Sequence, residues 1–142
     1  MSPLFFSEKL CMYRRIKTDF CLENYLNLFC DVRLLTKLRS GTLQLNIEVG
    51  RYTNTPRQLR LCLCCNMNVV EDEYHFVLVC PVYRPVRSHY LPKYFCSWPN
   101  IYKLDQLLKA VNKTVTIKLC NYIKAACVSR KYAFCRQFLP SA

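Results

Sequence analysis

The chain has 142 residues, of which 52% are hydrophobic and 13% aromatic. It is long enough for one modest domain with a packed core, and its composition excludes a disordered polymer. Twenty-one lysines and arginines against nine acids give a formal net charge of +12, which favours phosphate backbones or anionic surfaces as partners. Only two glycines occur, and neither lies in a glycine-rich phosphate-binding motif, so the common nucleotide-binding loops are excluded.

Cysteine usage indicates the redox compartment. The chain has 11 cysteines, an odd number, and its first residues do not resemble a secretory signal peptide. No apolar run approaches the ~20 residues that span a bilayer, so we expect no membrane insertion. The composition therefore predicts an intracellular protein of the nucleus, the cytoplasm or both, with most cysteines reduced. A secreted disulfide-bonded protein is the alternative, and mass spectrometry before and after thiol alkylation would distinguish the two.

The first predicted segment, residues 1–53, is basic and mostly helical. Apolar residues recur at about one helical turn over 8–17 and 22–30, which predicts two helices. A third helix is predicted from Val32 to Arg39, with Asp31 as its N-terminal cap and Gly41 as its stop.

Apolar and polar residues then alternate over 42–49, the period of a β-strand, so this stretch is predicted to be extended. Residues 50–56 have the composition of a loop.

The second predicted segment, residues 54–90, contains the pattern C-x2-C-x9-H-x4-C, formed by Cys62, Cys65, His75 and Cys80. Three thiolates and one imidazole at this spacing are typical ligands of a tetrahedral Zn²⁺ ion. Cys64 can replace one of the first two cysteines, although two intervening residues suit a shared metal better than one. A closed four-ligand site leaves no position for a reactive water, so the predicted zinc knuckle is structural and not catalytic.

A short helix is predicted to begin at the acidic run 71–73, where negative charges meet the positive end of the helix dipole, and to deliver His75 and Cys80 to the metal. Pro81 ends or restarts it, and a further helix is predicted over 82–90. The third segment, residues 91–142, has a connector at 92–100 and helices over 104–111 and 113–135. The predicted fold is mainly α, a small helical domain around a structural zinc knuckle with one short extended segment.

Arginines flank the predicted knuckle and are candidates for nucleic-acid binding, because guanidinium groups bind phosphates through two hydrogen bonds. The candidates are Arg39, Arg51, Arg57, Arg60, Arg84 and Arg87. No catalytic triad accompanies the serines, and the sequence predicts a protein that is not an enzyme.

The motifs together resemble the C-terminal region of LINE-type non-LTR retrotransposon proteins, which follows their reverse transcriptase domain and carries a zinc-binding knuckle. The resemblance covers roughly residues 8–90 and rests on these runs: Leu38-Arg39-Ser40-Gly41, Leu45-x-Ile47-Glu48-x-Gly50-Arg51-Tyr52, Arg60-x-Cys62-x-x-Cys65, Val70-Glu71-Asp72-Glu73-x-His75-Phe76-x-x-x-Cys80 and Tyr83-x-x-x-Arg87. It implies the same four zinc ligands and a role in handling nucleic acid. The inserted Cys64 departs from the family pattern.

The chain lacks the polymerase and endonuclease motifs of such elements, so the resemblance implies a non-catalytic fragment. Its expected partners are RNA or single-stranded DNA and, in addition, a reverse transcriptase domain missing from this chain. Two alternatives stay open: a zinc-stabilised protein–protein interaction module, and a non-functional retroelement remnant.

Overall fold

A computed structural model of the protein describes residues 11–16 and 32–138. The predicted helix over 22–30 and the predicted cap Asp31 lie outside the described residues. The α-helices are α1 (Cys11–Ile16), α2 (Arg33–Ser40), α3 (Asn46–Tyr52), α4 (Arg84–Tyr90), α5 (Lys93–Cys96), α6 (Ile101–Leu108) and α7 (Lys113–Phe138). The described part of the chain contains no β-strand, only an isolated antiparallel bridge between Leu61 and Val70. The prediction of a mainly α fold is confirmed.

Helix α2 ends where the sequence predicts. Gly41 adopts a left-handed conformation with φ of 73°, which costs glycine little because it has no Cβ. The N–H of Gly41 donates to the Leu38 carbonyl, and the N–H of Thr42 donates to the Lys37 carbonyl at 2.9 Å. These bonds satisfy carbonyls that the last helical turn leaves open.

The prediction of an extended segment over 42–49 is wrong, because its second half is helix α3. The alternating apolar residues do face the interior: the buried side chains are Leu43, Leu45 and Ile47. They lie at the start of a helix, however, and not in a strand. The N-terminus of α3 is held by a distant residue: Glu71 accepts hydrogen bonds from the N–H of Asn46 (2.7 Å, through its carboxylate) and of Ile47 (3.1 Å, through its carbonyl). A cap supplied from another part of the chain overrides the local pattern.

Helix α7 is the centre of the packing. Its inward side carries Leu119, Tyr122, Ile123 and Ala126, all fully buried or nearly so, as the helical periodicity predicts. Helices α2, α4 and α6 pack against it, so elements from all three predicted segments meet on one helix. None of the described helices is both long enough and apolar enough to cross a membrane.

Three short non-α helical turns lie between α3 and α4. A 3-10 turn at Arg57–Leu59 precedes the knuckle, and a second at Pro81–Tyr83 follows it. Between them lies a π-helical turn at His75–Val79, in which each backbone bond spans five residues. The predicted break at Pro81 is confirmed, since the π-turn ends at Val79, before Pro81, and α4 begins at Arg84.

Candidate metal centre

The four predicted ligands lie together in the structure. Their donor atoms are all within 4.8 Å of one another. Cys62 Sγ is 4.0 Å from Cys80 Sγ, and Cys65 Sγ is 3.4 Å from His75 Nε2. Four donors around a tetrahedral Zn²⁺, with metal–sulfur bonds of about 2.3 Å, would be separated by about 3.8 Å. The arrangement therefore has the size of a metal site.

Three of the four candidate ligands are buried. Cys80 is 0% exposed, His75 3% and Cys62 4%, whereas Cys65 is partly exposed. The His75 Nε2 atom faces the cluster, whereas the buried Nδ1 atom has no hydrogen-bond partner. Three closely spaced thiols beside an imidazole nitrogen are a donor set that a metal ion would stabilise.

A short antiparallel pairing of the chain positions Cys62. Its N–H donates to the Val69 carbonyl at 2.8 Å, and the N–H of Glu71 donates to the Arg60 carbonyl at 2.9 Å. Asn68 turns the chain with a positive φ of 59°, a conformation that asparagine tolerates better than most residues. This pairing brings the first two cysteines back over the residues that lead to His75.

The π-turn brings His75 and Cys80 to one side. Residues five apart in an α-helix point about 140° away from each other, since each residue rotates by about 100°. The wider turn reduces this separation, and it is closed by a 2.7 Å bond from the Cys80 N–H to the His75 carbonyl. Asp72 Oδ1 accepts from the His75 N–H at 2.9 Å, so the acidic run does begin the helical turn, as predicted.

Side chains from two other helices hold the carbonyls of this turn. Arg87 in α4 donates to the carbonyls of Val77 and Cys80, both at 2.8 Å. Tyr122 in α7 donates its hydroxyl to the Phe76 carbonyl at 2.6 Å. These buried bonds fix the backbone that carries His75 and Cys80.

Replacement of Tyr122 by Phe should lower the free energy of unfolding by about 1–3 kcal/mol, because the buried Phe76 carbonyl loses its hydroxyl partner. Urea denaturation followed by circular dichroism measures this change. Tyr132 is 69% exposed, and Tyr132→Phe is the matched control, expected to stay within about 0.5 kcal/mol. Equal, small effects of the two substitutions would show that the 2.6 Å bond contributes nothing to the site.

Glu71 links the cluster to the C-terminal helix. Its side chain is 1% exposed, and its two oxygens accept from Arg130 Nη2 at 2.7 Å and Nε at 2.9 Å. The same carboxylate lies 3.9 Å from Cys62 Sγ. From the sequence, Glu71 is predicted only to begin a helix, and no role is predicted for Arg130. The two residues are 59 positions apart, and no local pattern pairs them.

Hydrogen bonds between the thiols of the cluster shift their pKa values. Hydrogen bonds from the Cys64 and Cys80 thiols lower the pKa of Cys62 far below its usual range, against the opposing effect of burial. The pKa of Cys80 is raised, first because it donates to Cys62 and then because it is buried. Burial also raises the pKa of Cys65. A bound cation would displace protons from these thiols.

Cys64 belongs to a second, smaller group. Its Sγ, the Cys62 Sγ and a Glu71 carboxylate oxygen also lie within 4.8 Å of one another. This group has three members and shares Cys62 with the first, so the two groups cannot hold separate ions independently. The group that contains Cys64 includes neither His75 nor Cys80, so the geometry favours Cys65 over Cys64 as the fourth ligand.

Three of the six candidate arginines lie inside the protein. Arg39 is 2% exposed, and its guanidinium carbon lies 5.8 Å from the centre of the Tyr13 ring. Arg60 donates to the Ile47 carbonyl at 3.0 Å, and Arg87 binds the π-turn as described above. Guanidinium groups enclosed in this way hold the fold together and do not reach a phosphate at the surface.

The other three candidate arginines are more accessible. Arg51 is half-buried and forms a 3.1 Å ion pair with Glu48. Arg57 and Arg84 are exposed, on either side of the knuckle in the sequence. Of the six candidate arginines, Arg57 and Arg84 are the most accessible to a phosphate group in solution.

Comparisons of the chain with protein-family models, with characterised proteins and with solved structures find no match. The candidate site is therefore interpreted from its own geometry and chemistry.

Proposed function

We propose that Cys62, Cys65, His75 and Cys80 bind one structural Zn²⁺ ion. The main support is that their donor atoms all lie within 4.8 Å of one another in a largely buried site. Three sulfurs and one imidazole nitrogen are a borderline-soft ligand set that suits zinc better than calcium or magnesium. Measurement of zinc per chain in wild-type protein and in variants with substituted ligands tests this proposal.

We further propose that the zinc-stabilised domain is a non-catalytic, intracellular module that binds RNA or single-stranded DNA without strong sequence preference. The net charge of +12 and the exposed Arg57 and Arg84 support this function. An origin in the C-terminal region of a non-LTR retrotransposon protein, and a reverse transcriptase domain as a second partner, are part of the same proposal. They are supported by the motif resemblance alone.

Binding of this kind should depend steeply on salt. Raising the salt concentration from low to about physiological should weaken the affinity for oligouridine by roughly tenfold or more, because phosphate contacts release counterions. Fluorescence anisotropy of a labelled oligonucleotide measures it. The logarithm of the affinity should fall linearly with the logarithm of the salt concentration. Arg84→Ala should reduce the steepness of this line by about 0.7 for each lost contact with a single strand, whereas Arg84→Lys, which keeps the charge, should not. Salt-insensitive binding would contradict the proposal.

A protein-interaction module is the second candidate function, and one observation favours it. The segment 54–90 exposes several large apolar side chains. They are Leu59, Leu63, Met67 and Val69. If the purified protein does not bind homopolymer RNA but self-associates, and Leu63→Ser reverses the association, this candidate replaces the first.

A further inference from the structure

Large aromatic side chains are exposed on one short stretch of the chain, residues 94–102, which we call the aromatic loop. It runs from α5 into the start of α6 and contains Trp98, which is 90% exposed, Tyr102, which is 79% exposed, and Tyr94, which is 56% exposed. Aromatic rings of this size are normally buried at least in part, because their apolar area is large. Three of them exposed within nine residues indicate a surface with a ligand.

The aromatic loop is held in place by Lys103. The Lys103 ammonium donates to the carbonyls of Tyr94 (2.7 Å) and Ser97, and it lies 4.5 Å from the centre of the Tyr94 ring. The backbone N–H of Lys103 in turn donates to Asn100 Oδ1 at 3.0 Å, which caps α6. The exposed rings are therefore carried on backbone that is already ordered, and binding need not order it.

The backbone at Trp98 adds a second observation. Its φ is 51°, in the left-handed region that a bulky residue rarely adopts. Strain of this kind persists where the surrounding contacts impose it, and it is frequent at ligand-binding sites. Glycine or asparagine would satisfy this backbone without strain, and yet the position holds the chain's only tryptophan, directed into solvent.

Charge around the aromatic loop favours a polyanion. The sequence has no acidic residue between Cys80 and Asp105. Two exposed cations lie in this interval, Arg84 in α4 and Lys93 at the start of α5. Asp105, which follows in α6, is paired with Arg15. A segment with exposed aromatic rings and cations but no unpaired acid suits a ligand that combines flat apolar faces with negative charge. An apolar protein partner would need no such excess of positive charge.

We propose that Trp98 is a stacking platform for the unpaired bases of single-stranded RNA or DNA, with Tyr102 as a neighbouring aromatic contact and the nearby cations bound to phosphates. This inference rests on the proposed nucleic-acid function and assigns it a place on the surface. Stacking on an aromatic ring tolerates every base, since each base has a π-face, so the site would bind without strong sequence preference.

The single tryptophan gives a direct test. Oligouridine titrated into the zinc-loaded protein should quench the tryptophan fluorescence, because a stacked base contacts the indole. Inorganic polyphosphate has the charge but no bases, and it should compete for the protein without comparable quenching. Binding of oligouridine with unchanged fluorescence would overturn the assignment of Trp98 while leaving the proposed nucleic-acid function intact.

Substitution gives an independent readout. Trp98→Gly suits the left-handed backbone, so the variant should fold, and it should bind oligouridine about tenfold more weakly or worse. Its affinity for polyphosphate should not change. Tyr132→Ala, which removes an exposed aromatic ring from α7, is the matched control and should leave both affinities unchanged.

Three other outcomes would overturn the inference. Equal weakening by Trp98→Gly and Tyr132→Ala would show that the loop has no special role. Self-association that depends on Trp98, without any effect of oligouridine on fluorescence, would assign the aromatic loop to a protein contact. Failure of both oligouridine and polyphosphate to bind would remove the proposed function together with the stacking site.

Discussion

Cys80→Ser should abolish stoichiometric zinc binding and should unfold the region around the knuckle. Cys80 is fully buried, 4.0 Å from the Cys62 sulfur, and its replacement removes one of four ligands. A structural zinc site contributes on the order of 10 kcal/mol to folding, so a domain of this size should not keep its cooperative transition without it. Elemental analysis of the purified protein and circular dichroism during heating measure the two effects.

The cysteine-rich chain supplies its own controls for this experiment. Cys96 is a half-buried thiol that belongs to neither candidate metal group, and Cys96→Ser should retain about one zinc per chain. Cys64→Ser should also retain it, whereas Cys65→Ser should not. Loss of zinc in Cys64→Ser with retention in Cys65→Ser would assign the site to the alternative ligand set. Wild-type protein without zinc, and indifferent to chelators, would refute the metal proposal.

Arg130→Ala should lower the free energy of unfolding by about 3–5 kcal/mol, the usual cost of removing one partner from a buried ion pair. The Glu71 carboxylate is 1% exposed and receives two hydrogen bonds from Arg130, at 2.7 and 2.9 Å. Without them, a buried negative charge would remain, unpaired, beside the Cys62 sulfur. Chemical denaturation at fixed zinc concentration measures the loss.

Two substitutions control for this effect. Arg130→Lys keeps the charge but cannot reproduce the paired hydrogen bonds, so it should recover only part of the stability. Lys131 is exposed on the next position of α7, and Lys131→Ala should change stability by no more than about 0.5 kcal/mol. If Arg130→Ala destabilises the protein no more than Lys131→Ala does, the ion pair has no structural role.

Local sequence patterns predicted the parts of the structure that local interactions determine. The end of α2 follows from Gly41, and the inward side of α7 follows from the 3.6-residue repeat of Leu119, Tyr122 and Ala126. The four candidate metal ligands follow from spacing, because short loops limit how far apart thiols in a C-x2-C pair can lie. Each of these signals is contained in a stretch of fewer than 20 residues.

Contacts between distant positions could not be predicted in the same way. The extended conformation predicted over 42–49 overlaps the first residues of α3. The sequence around them does not indicate a helix start, because the N-terminal cap of α3 comes from Glu71, 25 residues further along the chain. The interior role of Arg60 and Arg87 was missed because a buried and an exposed arginine have the same sequence signature. Only the folded chain shows that Arg87 donates to the carbonyls of the π-turn.

The pairing of Glu71 with Arg130 has a consequence for how far this protein can be shortened. A zinc knuckle is often pictured as a small self-sufficient unit, and residues 54–90 would be the natural piece to excise. Here that piece would carry an uncompensated carboxylate next to its sulfurs and would lack the Tyr122 hydroxyl that holds the π-turn. The smallest autonomous version should therefore extend from the start of α2, which packs on α7, through Arg130, with the long C-terminal helix as an integral wall of the candidate metal centre.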